Sequence, residues 1–404
     1  MDDPLKLTRS QWSIFRHIVR LLGSSEVYGI WGVPGSGKTQ LIARFARDYL
    51  DSLKIVIVAY TNNEVKDLFW RIWHGLEYYG FSQKSIERSI RVYGSRVLEG
   101  PNAINPYCNR PIDHQVRLVI TTGYSAYLVE KFRPDIMMMD ERSTRMPRHT
   151  GMVLRSIPSD LLISFGDTEQ HIIPGSGPSV LHRLRSVNKL VMMKETLRIP
   201  DPIYRPSSYA FYEGCMRPHP AIANSRPTPY SEPWGDWELI LEPDVPLSMI
   251  HCEARPQWTG GSWVNPSQAR LAHDIACELR RCYLDYDICV LSPYAPHSYN
   301  VQELLAQRIY DVATAHAFLG QEADIVIVTI PRAGRRSLIS WCDRIFNVLL
   351  TRSRFKLLVI CNVREVAVSS SRCYKALQMI SEYGLLLDER GRERDLQQLL
   401  GYRV

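Results

Sequence analysis

The run Gly32-Val33-Pro34-Gly35-Ser36-Gly37-Lys38-Thr39 constrains the fold of this 404-residue chain more than any other segment. It fits G-x-x-x-x-G-K-[ST], a phosphate-binding loop that works only between a strand and a helix. The flanks supply that context. An apolar run, Val27 to Trp31, precedes the loop, and Leu41, Ile42, Phe45, Ala46, Tyr49 and Leu50 follow at helical spacing. The glycines let backbone N–H groups close around a polyphosphate, and the helix N-terminus adds its positive dipole end. Lys38 then reaches the β- and γ-phosphates, and the Thr39 hydroxyl holds Mg²⁺.

The rest of the chain repeats this alternation. Val27–Trp31, Lys54–Tyr60, Arg117–Thr122, Asp135–Asp140 and Leu161–Gly166 are continuous apolar runs, as strands buried on both faces of a parallel sheet read. Between them the segment Glu64–Gly75 reads as an amphipathic helix whose Trp70 and Trp73 pack into the core. Proline and glycine are dense from Pro218 to Pro246, which reads as a surface excursion. The rhythm then resumes with strands at Asp287–Pro293, Asp324–Ile330 and Lys356–Asn362 and helices at Pro266–Cys282 and Tyr299–Ile309. The chain is therefore expected to be α/β, with two tandem units over residues 1–190 and 191–404. A small insertion is expected near 78–115.

Charge and cysteine usage narrow the class. The net charge is +7, modestly basic and compatible with a polyanionic partner. The nine cysteines include no C-x-x-C pair, so no structural zinc is expected, and Cys277 and Cys282 read as buried thiols. No apolar run approaches membrane-spanning length, and there is no signal-peptide pattern at the N-terminus. An intracellular protein, cytoplasmic or nuclear, without a membrane association is expected.

Two further acidic or polar strand ends carry chemistry. The run Asp135–Asp140 ends in Asp140-Glu141, where Asp140 holds Mg²⁺ and Glu141 polarises the attacking water. The next strand ends Gly166-Asp167-Thr168-Glu169-Gln170. Gln170 there either hydrogen-bonds the γ-phosphate or its water, or belongs to a plain polar turn.

The order of GxxxxGKT, DE and GDxxQ resembles superfamily 1 helicases, and the likeness spreads over most of the chain. Leu7-Thr8-Arg9-Ser10-Gln11 looks like the Q motif, in which Gln11 reads the adenine edge. Thr61-Asn62-Asn63 resembles motif Ia, and Thr121-Thr122-Gly123 resembles motif Ic. Both motifs contact the nucleic-acid backbone; Thr61 and Asn62 also read as a plain helix N-cap, and both roles can coexist because a helix N-terminus is where a phosphate would sit. In the second unit, Asn347-Val348-Leu349-Leu350-Thr351-Arg352-Ser353-Arg354 closely resembles motif VI. Ala317-Phe318-Leu319-Gly320-Gln321-Glu322 resembles motif V, Leu291-Ser292-Pro293-Tyr294 motif IV, and Phe211-Tyr212-Glu213-Gly214 the FYxG element. Arg198, in Leu197-Arg198-Ile199-Pro200, falls where relatives carry a second γ-phosphate arginine. Thr314 falls where relatives place a backbone-contacting threonine, and reads equally as a turn residue. The sequence departs from the pattern at Leu197, at Leu319 and at Arg142-Ser143-Thr144.

The likeness is strongest to superfamily 1B, the group of the up-frameshift protein and nidovirus helicases. It implies two RecA-like P-loop domains with an ATP site in the interdomain cleft. Catalysis would fall to Lys38, Glu141, Gln170, Arg198 and Arg352. The nucleotide would be held by Gln11, the loop residues Gly32 to Thr39, Gln40, Asp140 and Glu322, with Thr39 and Asp140 on the metal. Thr61, Asn62, Thr122, Pro293 and Thr314 would touch the strand. The implied protein is a monomeric ATP- and Mg²⁺-dependent helicase or translocase on single-stranded RNA or DNA, moving 5′ to 3′. The alternative is an ATP-gated nucleic-acid clamp that separates nothing.

Overall fold

Strands that are apolar along their whole length need cover on both faces, and only a parallel sheet flanked by helices provides it. The computed structural model, which describes residues 3–94, 110–129, 131–141, 157, 159–170, 180–305 and 311–401, builds two such sheets. They lie in separate compact units, Met1–Met193 and Lys194–Val404.

The first unit holds β1 (Val27–Gly32), β2 (Ile55–Ala59), β3 (Ile90–Tyr93), β4 (Leu118–Thr122), β5 (Ile136–Glu141), β6 (Leu161–Gly166) and β7 (Leu190–Met193). Their order is β3-β4-β2-β5-β6-β1-β7, parallel throughout. All five residues of β2, near the middle, are fully buried. Helices α1 (Arg9–Leu21), α2 (Lys38–Tyr49) and α3 (Asn62–Tyr78) cover the sheet. Helix α2 turns Leu41, Ile42, Phe45 and Ala46 into the core, and α3 turns in Phe69 and Trp73, with Trp70 half-buried against them. Within the stretch expected to be an insertion, α4 (Gln83–Ser89) leads into β3, which pairs with β4 from Ile90↔Leu118 to Tyr93↔Thr121. That segment thus widens the sheet. Strand β7, where the sequence placed the join between units, is the opposite edge of the same sheet.

The second unit begins with two short parallel strands, β8 (Glu195–Thr196) and β9 (Arg217–Pro218). Its main sheet contains β10 (Leu247–His251), β13 (Ile288–Ser292), β14 (Asp311–Thr314), β15 (Ala323–Ile330), β16 (Ser353–Cys361) and β17 (Leu385–Asp388). The order is β14-β13-β15-β16-β10-β17, again all parallel. A separate antiparallel ribbon, β11 (Gln257–Thr259) and β12 (Ser262–Val264), follows β10. Sequence reasoning passed over β10 and β17, which are short and border turn-rich or polar segments. The helix expected at Tyr299–Ile309 starts earlier, at Ala295, with Pro296 in its first turn, where a missing N–H costs nothing; it is described to Leu305, and residues 306–310 lie outside the described residues.

One core residue of β16 is charged by type. Lys356 is fully buried, and its ammonium donates to the carbonyls of Glu242 (2.7 Å) and Val245 (2.5 Å). Burial pushes its pKa down from 10.5 to about 7. Between those values the folded chain has shed a proton that the unfolded chain keeps, so stability rises with pH. The stability of the wild type relative to Lys356→Met is expected to rise from pH 7 to about 9, by at most about 1.4 kcal/mol per pH unit. Urea unfolding of both proteins across that range checks it, since titrations common to both cancel. A flat difference would mean that Lys356 stays charged in the fold.

Candidate nucleotide site and nucleic-acid edges

The loop after β1 is shaped by two left-handed glycines, Gly35 (φ 70°) and Gly37 (φ 78°). Gly37 has a second constraint: a Cβ there would lie 2.2 Å from Gln11 Nε2. Gln11 itself is buried, and both ends of its amide are engaged. Its Oε1 accepts from Thr8 N–H (2.8 Å), completing the capping box of α1, and its Nε2 donates to the Ser36 carbonyl (3.0 Å). The residue expected at the adenine edge therefore braces the phosphate loop here. Lys38 opens α2, and its ammonium donates to the carbonyls of Gly32 (2.7 Å) and Val33 (3.4 Å), spanning the loop. Gln40 bonds away from the loop, to the Pro4 carbonyl and to Arg71.

Strand β6 lies between β1 and β5, so the ends of all three come out on one edge of the sheet. Asp140 on β5 meets the loop there. Its Oδ2 lies 3.4 Å from Thr39 Oγ1, and the residue is 1 % exposed. Its other oxygen, Oδ1, is buried with no hydrogen-bond partner among the described residues, and so is Ser36 Oγ. An orphaned carboxylate oxygen normally costs several kcal/mol. Beside a threonine hydroxyl it has the donor set of an Mg²⁺ site, hard oxygens with room for water, so the residues present fit that ion. Glu141 ends β5 beside Gly166 of β6; its side chain, and Arg142-Ser143-Thr144, lie outside what is described. Gln170 closes a single 3-10 turn after β6 and is largely buried. Asp167 organises that turn, accepting from the Trp31 indole (3.0 Å) and from Glu169 N–H (3.0 Å).

In the second unit the charged residues singled out by sequence fall into one cluster. Glu322 pairs with Arg198 and takes two bonds from Arg354 (2.8 and 2.9 Å), while Arg354 also reaches Asp324 (3.2 Å). Burial alone would raise the Glu322 carboxyl, but the two guanidinium groups hold it below the usual carboxylate range. Arg352 does not project from the surface as a phosphate-reaching arginine does. It is 1 % exposed, donating to the carbonyls of Val348 (2.9 Å) and Gln321 (3.3 Å) and to Thr351 Oγ1 (3.2 Å). Asn347 explains why two motifs distant in sequence occur together. Its Oδ1 accepts from Ser207 (2.5 Å), and its Nδ2 donates to the Tyr212 hydroxyl (2.9 Å), all three residues being buried. Leu197 is 37 % exposed and offers no ring for stacking.

The residues expected to meet a strand lie on the carboxyl edges of the two sheets. Thr61 caps α3, its hydroxyl accepting from Glu64 N–H, while Glu64 answers through Tyr60 and Thr61 N–H. Asn62 follows in the first turn, its Oδ1 buried without a partner among the described residues. Thr122 ends β4 directly beside β2, and its hydroxyl accepts from Ser125 N–H. Pro293 follows β13 and is buried, whereas Thr314 ends the neighbouring β14 and accepts from Ala317 N–H. Sequence reasoning missed the aromatic residues on the first of these edges. Tyr124 and Tyr127 follow Thr122 and are 60 % and 53 % exposed. Their spacing resembles that of ordinary helix residues, and only exposure sets them apart.

Loop, lysine, threonine and acidic strand end define the first unit as a P-loop nucleotide-binding unit. Comparisons with known proteins show what the chain is similar to. The family model described as an AAA domain matches residues 177–364. The DNA replication ATP-dependent helicase/nuclease JHS1 of Arabidopsis thaliana is 22 % identical over 387 residues, covering 87 % of this chain and 28 % of the relative. The ATP-dependent helicase upf1 of Schizosaccharomyces pombe is 26 % identical over 174 residues, covering 40 % of this chain and 18 % of the relative. The arterivirus nonstructural protein 10 helicase superposes with a TM-score of 0.44 at 13 % identity, covering 85 % of this chain and 61 % of that one. These similarities support a superfamily 1 helicase core of the Upf1-like type. It spans less than a third of the length of these two curated relatives.

Proposed function

We propose that this chain hydrolyses ATP and uses the cycle to move along single-stranded nucleic acid and open duplexes, in the 5′-to-3′ sense implied by its family. The observation that carries the reading is the Thr39–Asp140 pair at the mouth of the loop, with Asp140 Oδ1 left without a partner among the described residues. Bound there, Mg²⁺ would offset charge on the β- and γ-phosphates. Lys38 would release the Gly32 carbonyl to take a phosphate oxygen. Glu141 and Gln170 would orient the attacking water, and Arg198 and Arg352 would bring positive charge to the γ-phosphate. Such differential contacts let a nucleotide favour one conformation over another, which is the requirement for a motor. The strand would lie along the carboxyl edges that carry Thr61, Asn62, Thr122, Pro293 and Thr314.

The deciding experiment measures ATP turnover against increasing single-stranded RNA or DNA of matched sequence at several salt concentrations. Turnover is expected to rise with added strand, and the rise to weaken as salt increases, because phosphate contacts release counterions. Turnover indifferent to both polymers would overturn the reading. Stimulated turnover without displacement of a paired strand would leave an ATP-gated clamp.

A further inference from the structure

The ribbon β11–β12 is an unusual element to find standing off a parallel sheet. Its register is Gln257↔Val264, Trp258↔Trp263 and Thr259↔Ser262, closed by Gly260 (φ 62°) and Gly261 (φ 81°). Two left-handed glycines are what a two-residue hairpin turn requires. Three residues per strand are too few to hold a ribbon by themselves. Asn265 supplies the anchor. Its Nδ2 donates to the Ala254 carbonyl (2.8 Å), tying the two ends of the ribbon together, and its Oδ1 caps the following helix at Gln268 N–H (3.2 Å). The Asn265 N–H donates to His297 Nδ1 (3.3 Å). The His297 proton must then sit on Nε2, facing Thr329 Oγ1 (2.9 Å), which donates onward to Gln268 (3.2 Å). Asn265, His297, Thr329 and Gln268 are all buried, so the foot of the ribbon is a closed polar lock.

What this foundation holds out is Trp258, 61 % exposed. Trp263 braces it edge-to-face from the paired position (5.0 Å, 75°), and the Arg332 guanidinium sits 5.1 Å from the Trp263 ring. Leaving an indole in water forgoes the stabilisation that burying it would bring. A rigid support beneath such a ring points to a binding surface. The surroundings are basic. Arg255 precedes the ribbon, and Arg335 and Arg336 are exposed on the loop that Arg332 opens. Two carboxylates near it are already paired, Glu253 with Arg364 and Glu365 with Arg332. The ribbon and the arginine loop leave the carboxyl ends of β10 and β15, the edge that also carries Pro293 and Thr314.

Resting on the nucleic-acid reading above, we propose that the Trp258 ring is a stacking platform for an unpaired base of the bound strand, with Arg255, Arg335 and Arg336 against its phosphates. An aromatic face takes any base, which suits a protein that must move along arbitrary sequence. The test is the binding of the full chain to fluorescein-labelled oligothymidylate of about 15 nucleotides, and to the same backbone made abasic. Trp258→Ala is expected to weaken oligothymidylate binding at least about fivefold, the low end for one base–aromatic stack. It is expected to leave abasic binding, the salt slope and the melting temperature unchanged. Trp258→Phe is expected to recover most of the loss. Wild-type binding with Trp258→Ala within twofold of it overturns the platform and leaves the ring as a surface for a protein. Equal losses on the two backbones overturn it as well. No binding by the wild type sinks the nucleic-acid reading, and the platform with it.

Discussion

Lys38→Ala is expected to abolish ATP hydrolysis, with a loss of at least about 10²-fold, the range for removing one donor to developing charge. The fold is expected to survive. Lys38 is half-buried at the first position of α2, where alanine is a better helix former, and the buried Val33 carbonyl keeps its bond from Ser36 N–H, so the main loss is the bond to the Gly32 carbonyl. The stability cost is therefore about 1–3 kcal/mol, the range for a buried acceptor that loses its donor. Lys38→Arg separates charge from shape: a planar fork cannot follow the loop as a flexible ammonium does, so it should restore binding better than turnover. Steady-state ATP hydrolysis beside thermal melting checks both statements. Unchanged turnover in the folded alanine variant would remove the loop from the chemistry.

How much of this was legible in the sequence depended on how local each feature is. The loop, the runs that became β2, β5 and β6, and the acidic end of β5 could be read because each is a contiguous signal. Strands buried on both faces leave unbroken apolar runs, and β2 buries all five residues. Strand β3 escaped because it is four residues long and directly follows α4, a mostly polar and exposed helix. The ribbon β11–β12 escaped for a similar reason: three residues per strand are too few for an alternation to register, although the glycine pair marks the turn. Residue roles were the least legible. Gln11 and Arg352 were placed by resemblance against a nucleotide, and here both are held by backbone carbonyls of their own unit. Asn347 finds its partners Ser207 and Tyr212 about 140 positions away. Only the folded chain brings such groups together, and no spacing rule anticipates them.

The second large effect is expected at Arg352. Its guanidinium fills three acceptors, the Val348 and Gln321 carbonyls and Thr351 Oγ1, with almost no exposure. To meet a γ-phosphate it would have to exchange those partners for phosphate oxygens, and the stronger charge-assisted bonds favour that exchange only while the γ-phosphate is present. The residue would then act as a nucleotide-dependent latch as well as a source of charge. Arg352→Ala is expected to lower kcat by about 10³-fold or more, the scale for an arginine that stabilises phosphoryl-transfer charge. ADP affinity should stay near the wild-type value. The substitution should also lower the melting temperature, because it empties the space of a 1 % exposed side chain and removes its bonds to Val348, Gln321 and Thr351. Arg352→Lys keeps the charge but fills fewer acceptors, so stability should recover in part while kcat stays low. The two readings of this residue part at that variant. A kcat per folded molecule equal to the wild type, with only the melting temperature reduced, would make Arg352 a strut between Val348 and Gln321. The charge at the γ-phosphate would then fall to Arg198, which Glu322 holds less deeply.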